Sequence, residues 1–137
     1  MKNILVIAGV FLIFFAAIHS WRPFLAYRLA KMSMIPVGFR PLVWMRLQGV
    51  DPVHVVEAYV MAAIMGGGKA GGFNITMDKL AQHRRAGGDA VKVMQAVIAS
   101  SQAEIGLEFE ELCRMDLSGE DPLEHIARAV KGTEGKL

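Results

Sequence analysis

The feature that most limits how this chain can fold is an uninterrupted apolar run near its N-terminus. Residues 4–18, ILVIAGVFLIFFAAI, contain no polar side chain. With residues 1–3 and 19–21 the segment reaches about 20 residues, the length an α-helix needs to cross a bilayer. Trp21 then falls at headgroup depth, where tryptophan is common. We therefore predict a transmembrane anchor over residues 1–21.

A short apolar run after a single lysine is also typical of a cleaved secretory signal. Here the run ends in Ile18-His19-Ser20-Trp21, which offers no small-x-small cleavage site. We therefore expect the segment to be retained as an anchor.

The distribution of charge predicts how the anchor is oriented. Residues 1–50 contain six Lys or Arg and no Asp or Glu, whereas residues 51–137 contain nine Lys or Arg and all thirteen Asp and Glu. Five of the six N-terminal cations follow the apolar run, and the positive-inside rule places that side in the cytoplasm. The single Cys113 cannot form an internal disulfide, which agrees with a reducing compartment. The prediction is a single-pass protein of the bacterial cytoplasmic membrane with its N-terminus outside.

Residues 22–50 mix aromatic and aliphatic side chains with cations and contain no carboxylate. This composition is typical of a basic amphipathic segment at a membrane interface, bound to anionic headgroups. Pro36 and Pro41 are expected to break it into short helices. A basic surface on an ordinary globular domain is the alternative interpretation. The predicted interface residues are Trp21, Arg22, Arg28, Lys31, Arg40, Trp44 and Arg46.

Residues 51–131 are predicted to form a helical module, followed by a polar tail over 132–137. Helices are expected over 52–65, 77–85, 89–114 and 122–130, with Asp51, Thr76, Asp89 and Asp121 as their N-caps. The first is apolar nearly all round, which predicts burial on all sides, whether in its own bundle, against a partner subunit or in the lipid interface. The Gly-rich stretch 66–72 predicts a flexible linker. No segment has the pattern of a strand, so the predicted fold class is all-α.

The 89–114 segment carries two patterns at helical spacing. An apolar seam predicts packing inside the module, and an acidic ridge on another face predicts a contact for a basic partner. The seam consists of Val91, Met94, Ile98, Ser101, Ile105, Phe109 and Leu112. The candidate partner contacts are Glu104, Glu108 and Glu111 on the ridge, together with Tyr59.

Motifs for catalysis are missing from the sequence. The Gly-rich stretch is not a phosphate loop, because Ala70 rather than Ser or Thr follows Lys69 and a helix precedes it. The acidic C-terminal region lacks the basic footprint that nucleic-acid binding needs. We therefore predict no catalytic residue, no metal, no cofactor and no nucleic-acid partner. His83, in a basic run with Arg84 and Arg85, is expected on a solvated surface.

A small metal-binding or enzymatic membrane subunit is the alternative function. His54 and Glu57 are three residues apart on one predicted helix, and the three ridge glutamates could supply further carboxylates. Zinc sites need three or four converging ligands, and the neighbours of His54 are apolar. A polar stripe on a packed helix is the simpler interpretation of this pair.

The order of many residues over roughly 35–131 resembles bacterial flotillin-like proteins of the A type. The matching positions include Met45-Arg46-Leu47, Asn74-Ile75, Ala86-Gly87-Gly88, Phe109-Glu110, Asp116-Leu117 and Asp121-x-Leu123-Glu124. The resemblance implies an N-terminal anchor and a helical segment. The stomatin/prohibitin/flotillin-type domain and the coiled coil that follow in the family have no counterpart in these 137 residues.

The resemblance also implies a function. The family consists of membrane scaffolds that oligomerise, organise membrane protein assemblies and are not known as enzymes. We therefore expect a non-enzymatic scaffold or accessory subunit. Its expected partners are the lipid bilayer, other copies of itself and subunits of a larger integral membrane complex.

Overall fold

The computed structural model describes residues 1–66 and 73–134, which form helices and no strand, so the all-α prediction is confirmed. Most of the predicted 66–72 linker and residues 135–137 of the predicted tail lie outside this described part. The helices are α1 (Lys2–Met32), α2 (Phe39–Leu47), α3 (Pro52–Met65), α4 (Met77–Arg85), α5 (Ala90–Gln102), α6 (Phe109–Ser118) and α7 (Pro122–Glu134).

The first helix continues well past the apolar run. It has 31 residues, with Pro23 inside it, and shows no break at the predicted boundary between residues 21 and 22. At 1.5 Å per residue its length is about 46 Å, which exceeds the hydrocarbon thickness of a bilayer by about 15 Å. The last third of α1 therefore has to lie outside the hydrocarbon if the first two thirds cross it.

The two prolines of the 22–50 segment behave differently. Pro36 lies in the connection between α1 and α2, as predicted, whereas Pro41 is the third residue of α2. The prediction that Pro41 breaks the chain is wrong. A proline is tolerated there because the N–H groups of a helix's first turn have no intrahelical partner to lose.

The core of the module lies between α3 and α5. The helix α3 contacts α1, α2, α4 and α5, and α5 contacts α3, α4, α6 and α7. Side chains that are fully buried between these elements belong to six of the helices, namely Ala26, Leu42, Val55, Val56, Leu80, Val93, Met94 and Leu112. Burial of about 2 kcal/mol per large apolar side chain is the main force that holds the helices together.

The described part of the chain buries α3 on all but one face, so its own bundle does not cover it completely. His54 and Glu57 are exposed, and Ile64 and Met65 near its end are 66% and 49% exposed. Apolar residues on an open face mark a surface that can contact another molecule.

The four predicted N-caps are confirmed. Oδ1 of Asp51 accepts from the Val53 N–H at 3.1 Å, and Thr76 Oγ1 accepts from the Lys79 N–H at 3.3 Å. Asp89 and Asp121 accept in the same way at the start of α5 and α7. These bonds satisfy N–H groups that a helix leaves free in its first turn, and each is typically worth about 1 kcal/mol.

The single long helix predicted over 89–114 is wrong. The chain forms α5 and α6 with a turn over residues 103–108. After Ala103, Glu104 has a left-handed φ of 54°, and the N–H of Ile105 donates to the Ser100 carbonyl oxygen at 3.0 Å. This hydrogen bond, from an N–H to the carbonyl oxygen five residues earlier, defines a Schellman ending, which satisfies the last carbonyls of a helix. Gly106, at φ 76°, and a bond from the Leu107 N–H to the buried Ser100 Oγ at 3.0 Å complete the turn.

The break also changes which residues face inward. The buried face of α5 is Ala90, Val93, Met94, Ala96, Val97 and Ser100. Of the predicted seam, Met94, Phe109 and Leu112 are buried, Val91, Ile98 and Ile105 are half-buried against the core, and Ser101 is exposed. The seam prediction is therefore wrong only at Ser101, whereas the six apolar residues of the seam are buried or packed against the core.

Candidate membrane interface

The apolar run forms the exposed half of α1. Ile4, Leu5, Phe11, Leu12 and Phe15 are all between 65% and 73% exposed. Within Asn3–Met32 the most apolar 18-residue window has a mean hydropathy of 2.4, and none of its residues is buried. Among the described residues, α1 alone is long and apolar enough to cross a membrane. An apolar helix without protein around it needs an apolar surrounding such as lipid.

The second part of α1 has two distinct faces. Pro23, Ala26 and Ala30, spaced by three and four residues, are buried where α1 packs on the module. Small side chains at these positions let the neighbouring backbones approach closely. On the opposite face Trp21 and Leu25 are 68% and 46% exposed. One helix thus joins the exposed apolar run to the core of the module.

An ion pair fixes how the module meets α1. The Arg22 guanidinium binds Oδ2 of Asp51, whose other oxygen caps α3. Asp51 is only 14% exposed in its side chain, whereas Arg22 is 54% exposed. The cap of α3 was predicted from the sequence, but its partner on α1 was not, because the two residues are 29 positions apart.

The predicted interface cations do not form a uniform set. Arg28, Lys31 and Arg40 are exposed, whereas Arg22 is paired with Asp51 and Arg46 is half-buried with an unbonded Nε. Of the predicted interface cations, Arg28, Lys31 and Arg40 are thus the ones that are exposed without an ion-pair partner in the described part of the chain. The predicted aromatic residue Trp44 is 63% exposed on α2.

The predicted acidic ridge is not a ridge on one helix. Glu104 lies in the turn after α5, Glu108 is the N-cap residue of α6, and Glu111 is in its first turn. Glu104 and Glu108 are exposed and Glu111 is half-exposed, while Tyr59 is partly buried against the core. The three carboxylates are brought to the α5–α6 connection and the start of α6. The dipole of α6 favours the negative charge of Glu108 and Glu111 at its N-terminus.

The residues named for a metal site are only partly brought together. His54 Nδ1 lies 3.8 Å from Glu57 Oε2, and both side chains are about half exposed. The described residues contain no group of three or more His, Cys, Asp or Glu side chains that could hold a metal ion. The pair on α3 is thus an exposed polar contact one helical turn apart.

A buried histidine is the main polar feature that the sequence did not predict. His83 is 5% exposed rather than solvated, and its Nε2 lies 2.9 Å from Asp116 Oδ2 on α6. The same carboxylate oxygen accepts the Asp89 N–H at 2.7 Å. Because a carboxylate that already accepts one N–H attracts a second donor, Nε2 is the protonated ring nitrogen. Nδ1 is buried and has no partner among the described residues.

Gly88 makes this contact possible. A Cβ at residue 88 would lie 2.2 Å from His83 Nε2 and 2.8 Å from Asp116 Oδ2. The Gly-Gly pair was interpreted only as the end of a helix. The second glycine is required because the His83 side chain approaches residue 88 too closely for a Cβ. Nothing in the sequence indicates this contact except that a second glycine is present.

The surroundings of α6 shift the pKa of two of its ionisable groups, Cys113 and Glu110. Burial raises the pKa of the Cys113 thiol to about 12, and the nearby carboxylates of Glu110 and Asp116 add to this effect. The thiol therefore stays protonated at neutral pH and is a poor nucleophile. A hydrogen bond from Lys79 at 2.7 Å lowers the pKa of Glu110, so this surface ion pair is charged at neutral pH.

The comparison with known proteins identifies the family. The model of the flotillin-like protein FloA family matches residues 3–133. Flotillin-like protein FloA of Alkaliphilus metalliredigens is 34% identical over 92% of this chain, and that of Bacteroides thetaiotaomicron is 33% identical over 93%. Flotillin-like protein FloA 1 of Rhodopirellula baltica is 35% identical over 94%.

These relatives are much longer than the matched region. The match covers between 36% and 39% of their own length, so the chain spans little more than a third of them. No solved structure matches the chain. The family match and the exposed apolar helix together support membrane association. The match runs through α1 and the whole described module, and the chain belongs to the flotillin-like FloA family.

Proposed function

We propose that the chain is a non-enzymatic, membrane-anchored scaffold or accessory subunit that organises or stabilises a membrane protein assembly. The observation that carries the proposal is α1 itself. Its first part is apolar and unburied, and its last part is built into the core of a helical module. Such a helix attaches the module rigidly to a bilayer.

The proposed location is the inner membrane of a bacterium, with the module in the cytoplasm. Support comes from the exposed cations that follow the apolar run, Arg28, Lys31 and Arg40, compared with Lys2 alone before it. Cations within about 15–20 residues of a span set its orientation, and the end that carries more of them stays in the cytoplasm.

The proposed partners are further copies of the chain or subunits of an integral membrane complex. The exposed apolar groove between α3 and α5, with a volume of about 360 Å³ and lined by Met61, Ile64, Met65 and Ile98, supports a protein contact. Glu104, Glu108 and Glu111 at the α5–α6 connection supply a separate acidic surface for a basic partner.

Affinity purification of the full chain tests this function. A C-terminally tagged chain is extracted from bacterial membranes in mild detergent and its partners are identified by mass spectrometry. We expect defined recovery of other copies or of integral membrane proteins. Recovery of nothing beyond an untagged control, with a monomeric chain in solution, would contradict the scaffold proposal.

A charge-matched pair of variants sharpens the test. Changing Glu104, Glu108 and Glu111 to Gln is expected to leave helicity and melting temperature unchanged, because exposed charges contribute little to stability. It is expected to reduce partner recovery. The control variant, Asp78→Asn with Glu120→Gln and Glu124→Gln, removes three exposed charges that lie neither on the acidic surface nor in the α3–α5 groove. Equal recovery from both variants would show that the acidic surface is not a partner contact.

A further inference from the structure

The length of the uncharged part of α1 indicates how deeply the chain enters the bilayer, and therefore which part of the module lies at the membrane surface. Residues 3–21 contain no Lys, Arg, Asp or Glu, and Arg22 is the first charged side chain after them. Nineteen helical residues extend about 28 Å, which is close to the hydrocarbon thickness of a bilayer. If α1 spans the membrane as proposed above, Arg22 marks where the chain leaves the hydrocarbon.

The connection between α2 and α3 is held at the same level. Asp51 at its end binds Arg22 and simultaneously caps α3. A Schellman ending closes α2 just before it, since the Val50 N–H donates to the Met45 carbonyl oxygen at 3.0 Å. This connection therefore has no freedom to move along α1 without breaking the Arg22–Asp51 pair.

An apolar side chain is exposed on this connection. Leu47, the last residue of α2, is 65% exposed, and Gln48 and Gly49 beside it are exposed as well. We infer that the α2–α3 corner, residues 47–49, is a second contact between the module and the bilayer, with Leu47 entering the boundary between headgroups and acyl chains. The inference rests on the proposed membrane span and names the lipid surface as the occupant.

The same geometry places the most exposed apolar residues of this region too far from the bilayer to contact lipid. Met32 and Met34 are 79% and 94% exposed, more than Leu47. Met32, the last residue of α1, follows Arg22 by ten positions and therefore lies about 15 Å further from the hydrocarbon. Met34 lies in the turn just beyond this end of α1. If exposure alone decided the lipid contact, Met34 would be the stronger candidate. The Arg22–Asp51 ion pair instead places Leu47 nearer the membrane surface.

Tryptophan fluorescence in vesicles containing brominated phosphatidylcholine measures whether residue 47 enters the bilayer, because bromine quenches only nearby indole rings. The chain has two tryptophans, Trp21 and Trp44. In a variant with both changed to Phe, a single reporter is introduced as Leu47→Trp, Met34→Trp or Leu117→Trp. Leu117 is a matched control, because it is 47% exposed on α6 at a site without a proposed lipid contact. The variant Trp44→Phe, which keeps Trp21, is the internal standard for headgroup depth.

We expect the Leu47→Trp reporter to lose as much fluorescence to the bromines as Trp21. The Met34→Trp and Leu117→Trp reporters are expected to lose little. Quenched Trp21 with an unquenched Leu47→Trp reporter would overturn the corner contact while leaving the span intact. Equal quenching at residues 34 and 47 would contradict the inference that the Arg22–Asp51 pair holds residue 47 closer to the bilayer than residue 34. An unquenched Trp21 would instead contradict the membrane span itself.

Each reporter variant is checked by circular dichroism for the helix content of the parent. If Leu47→Trp loses helix content, Gln48→Trp is the second reporter on the corner. Because the Gln48 side chain accepts a hydrogen bond from Arg85 on α4, Arg85→Gln alone serves as the control for the loss of that bond. Failure of the Gln48→Trp reporter to be quenched in a folded chain would overturn the inference.

Discussion

At the scale of single residues, Gly88 has the most demanding environment. It lies against a buried imidazole and a buried carboxylate, both of which would collide with a Cβ. His83 and Asp116 join α4 to α6 and, through the Asp89 N–H, to the start of α5. This contact therefore holds three helices through one polar cluster, and removing it leaves buried polar groups without partners.

Gly88→Ala is accordingly expected to lower the free energy of unfolding by at least about 2 kcal/mol, since overpacking and a lost buried hydrogen bond act together. Thermal and urea unfolding followed by circular dichroism of the full chain in detergent measure the change. Gly132→Ala is the matched control, because no atom lies within 4 Å of a Cβ there and the site is exposed on α7. Alanine is expected to stabilise that helix by up to about 1 kcal/mol. Equal stability of the two variants would show that the cluster does not hold the helices.

At the scale of helices, the endings separate what the sequence predicts from what it does not. Schellman endings at Gly49 and Gly87 place a glycine in the left-handed region, and Gly119 does the same after α6. Such endings are readable from a sequence where a glycine follows the helix, because glycine adopts this conformation without steric cost. The bounds of α3 and α4 were predicted to the residue for the related reason that their caps are Asp51 and Thr76.

The two endings that the sequence analysis did not predict involve other residue types. Met34 and Glu104 have left-handed φ angles of 56° and 54°. Neither residue type signals a turn, so α1 was divided too early and α5 was extended too far. The buried His83 was missed for a different reason, since its partner Asp116 is 33 residues away and only the tertiary fold brings them together.

Glu104→Gly tests the ending of α5. A left-handed conformation costs a residue with a Cβ about 1–2 kcal/mol, which glycine avoids. Glu104→Gly is therefore expected to stabilise the protein by about 1 kcal/mol and raise its melting temperature. If residues 89–114 were instead one continuous helix, a glycine in its interior would destabilise by about 1 kcal/mol. The sign of the change in thermal unfolding thus distinguishes the two arrangements.

At the scale of the whole molecule, the charges beside α1 are expected to set its orientation. Cations within about 15–20 residues of a span decide which end stays in the cytoplasm. A reporter active only in the cytoplasm, fused to the C-terminus, is expected to be active in the parent chain. Changing Arg28, Lys31 and Arg40 to Gln leaves only Arg22 and Arg46 among the cations of residues 22–50 and is expected to produce a population with the C-terminus outside.

The control for this orientation test removes as many cations from the far side of the module. Arg114, Arg128 and Lys131 are exposed, and they are remote from α1 in the chain. Their replacement by Gln is expected to leave the reporter activity unchanged. A parent chain whose C-terminal reporter is active only in the periplasm would contradict the proposed topology.

The continuity of α1 has a mechanical consequence. Because no break separates the unburied apolar run from the face that packs on α3, the angle of the helix in the membrane is also the angle of the module. Transmembrane helices tilt by about 20° on average and tilt further in thinner bilayers. Over the roughly ten residues between Arg22 and Met32, a tilt of about 20° displaces the far end of α1 sideways by about 5 Å. The sideways position of the module is therefore expected to change with the thickness of the bilayer that α1 is proposed to span.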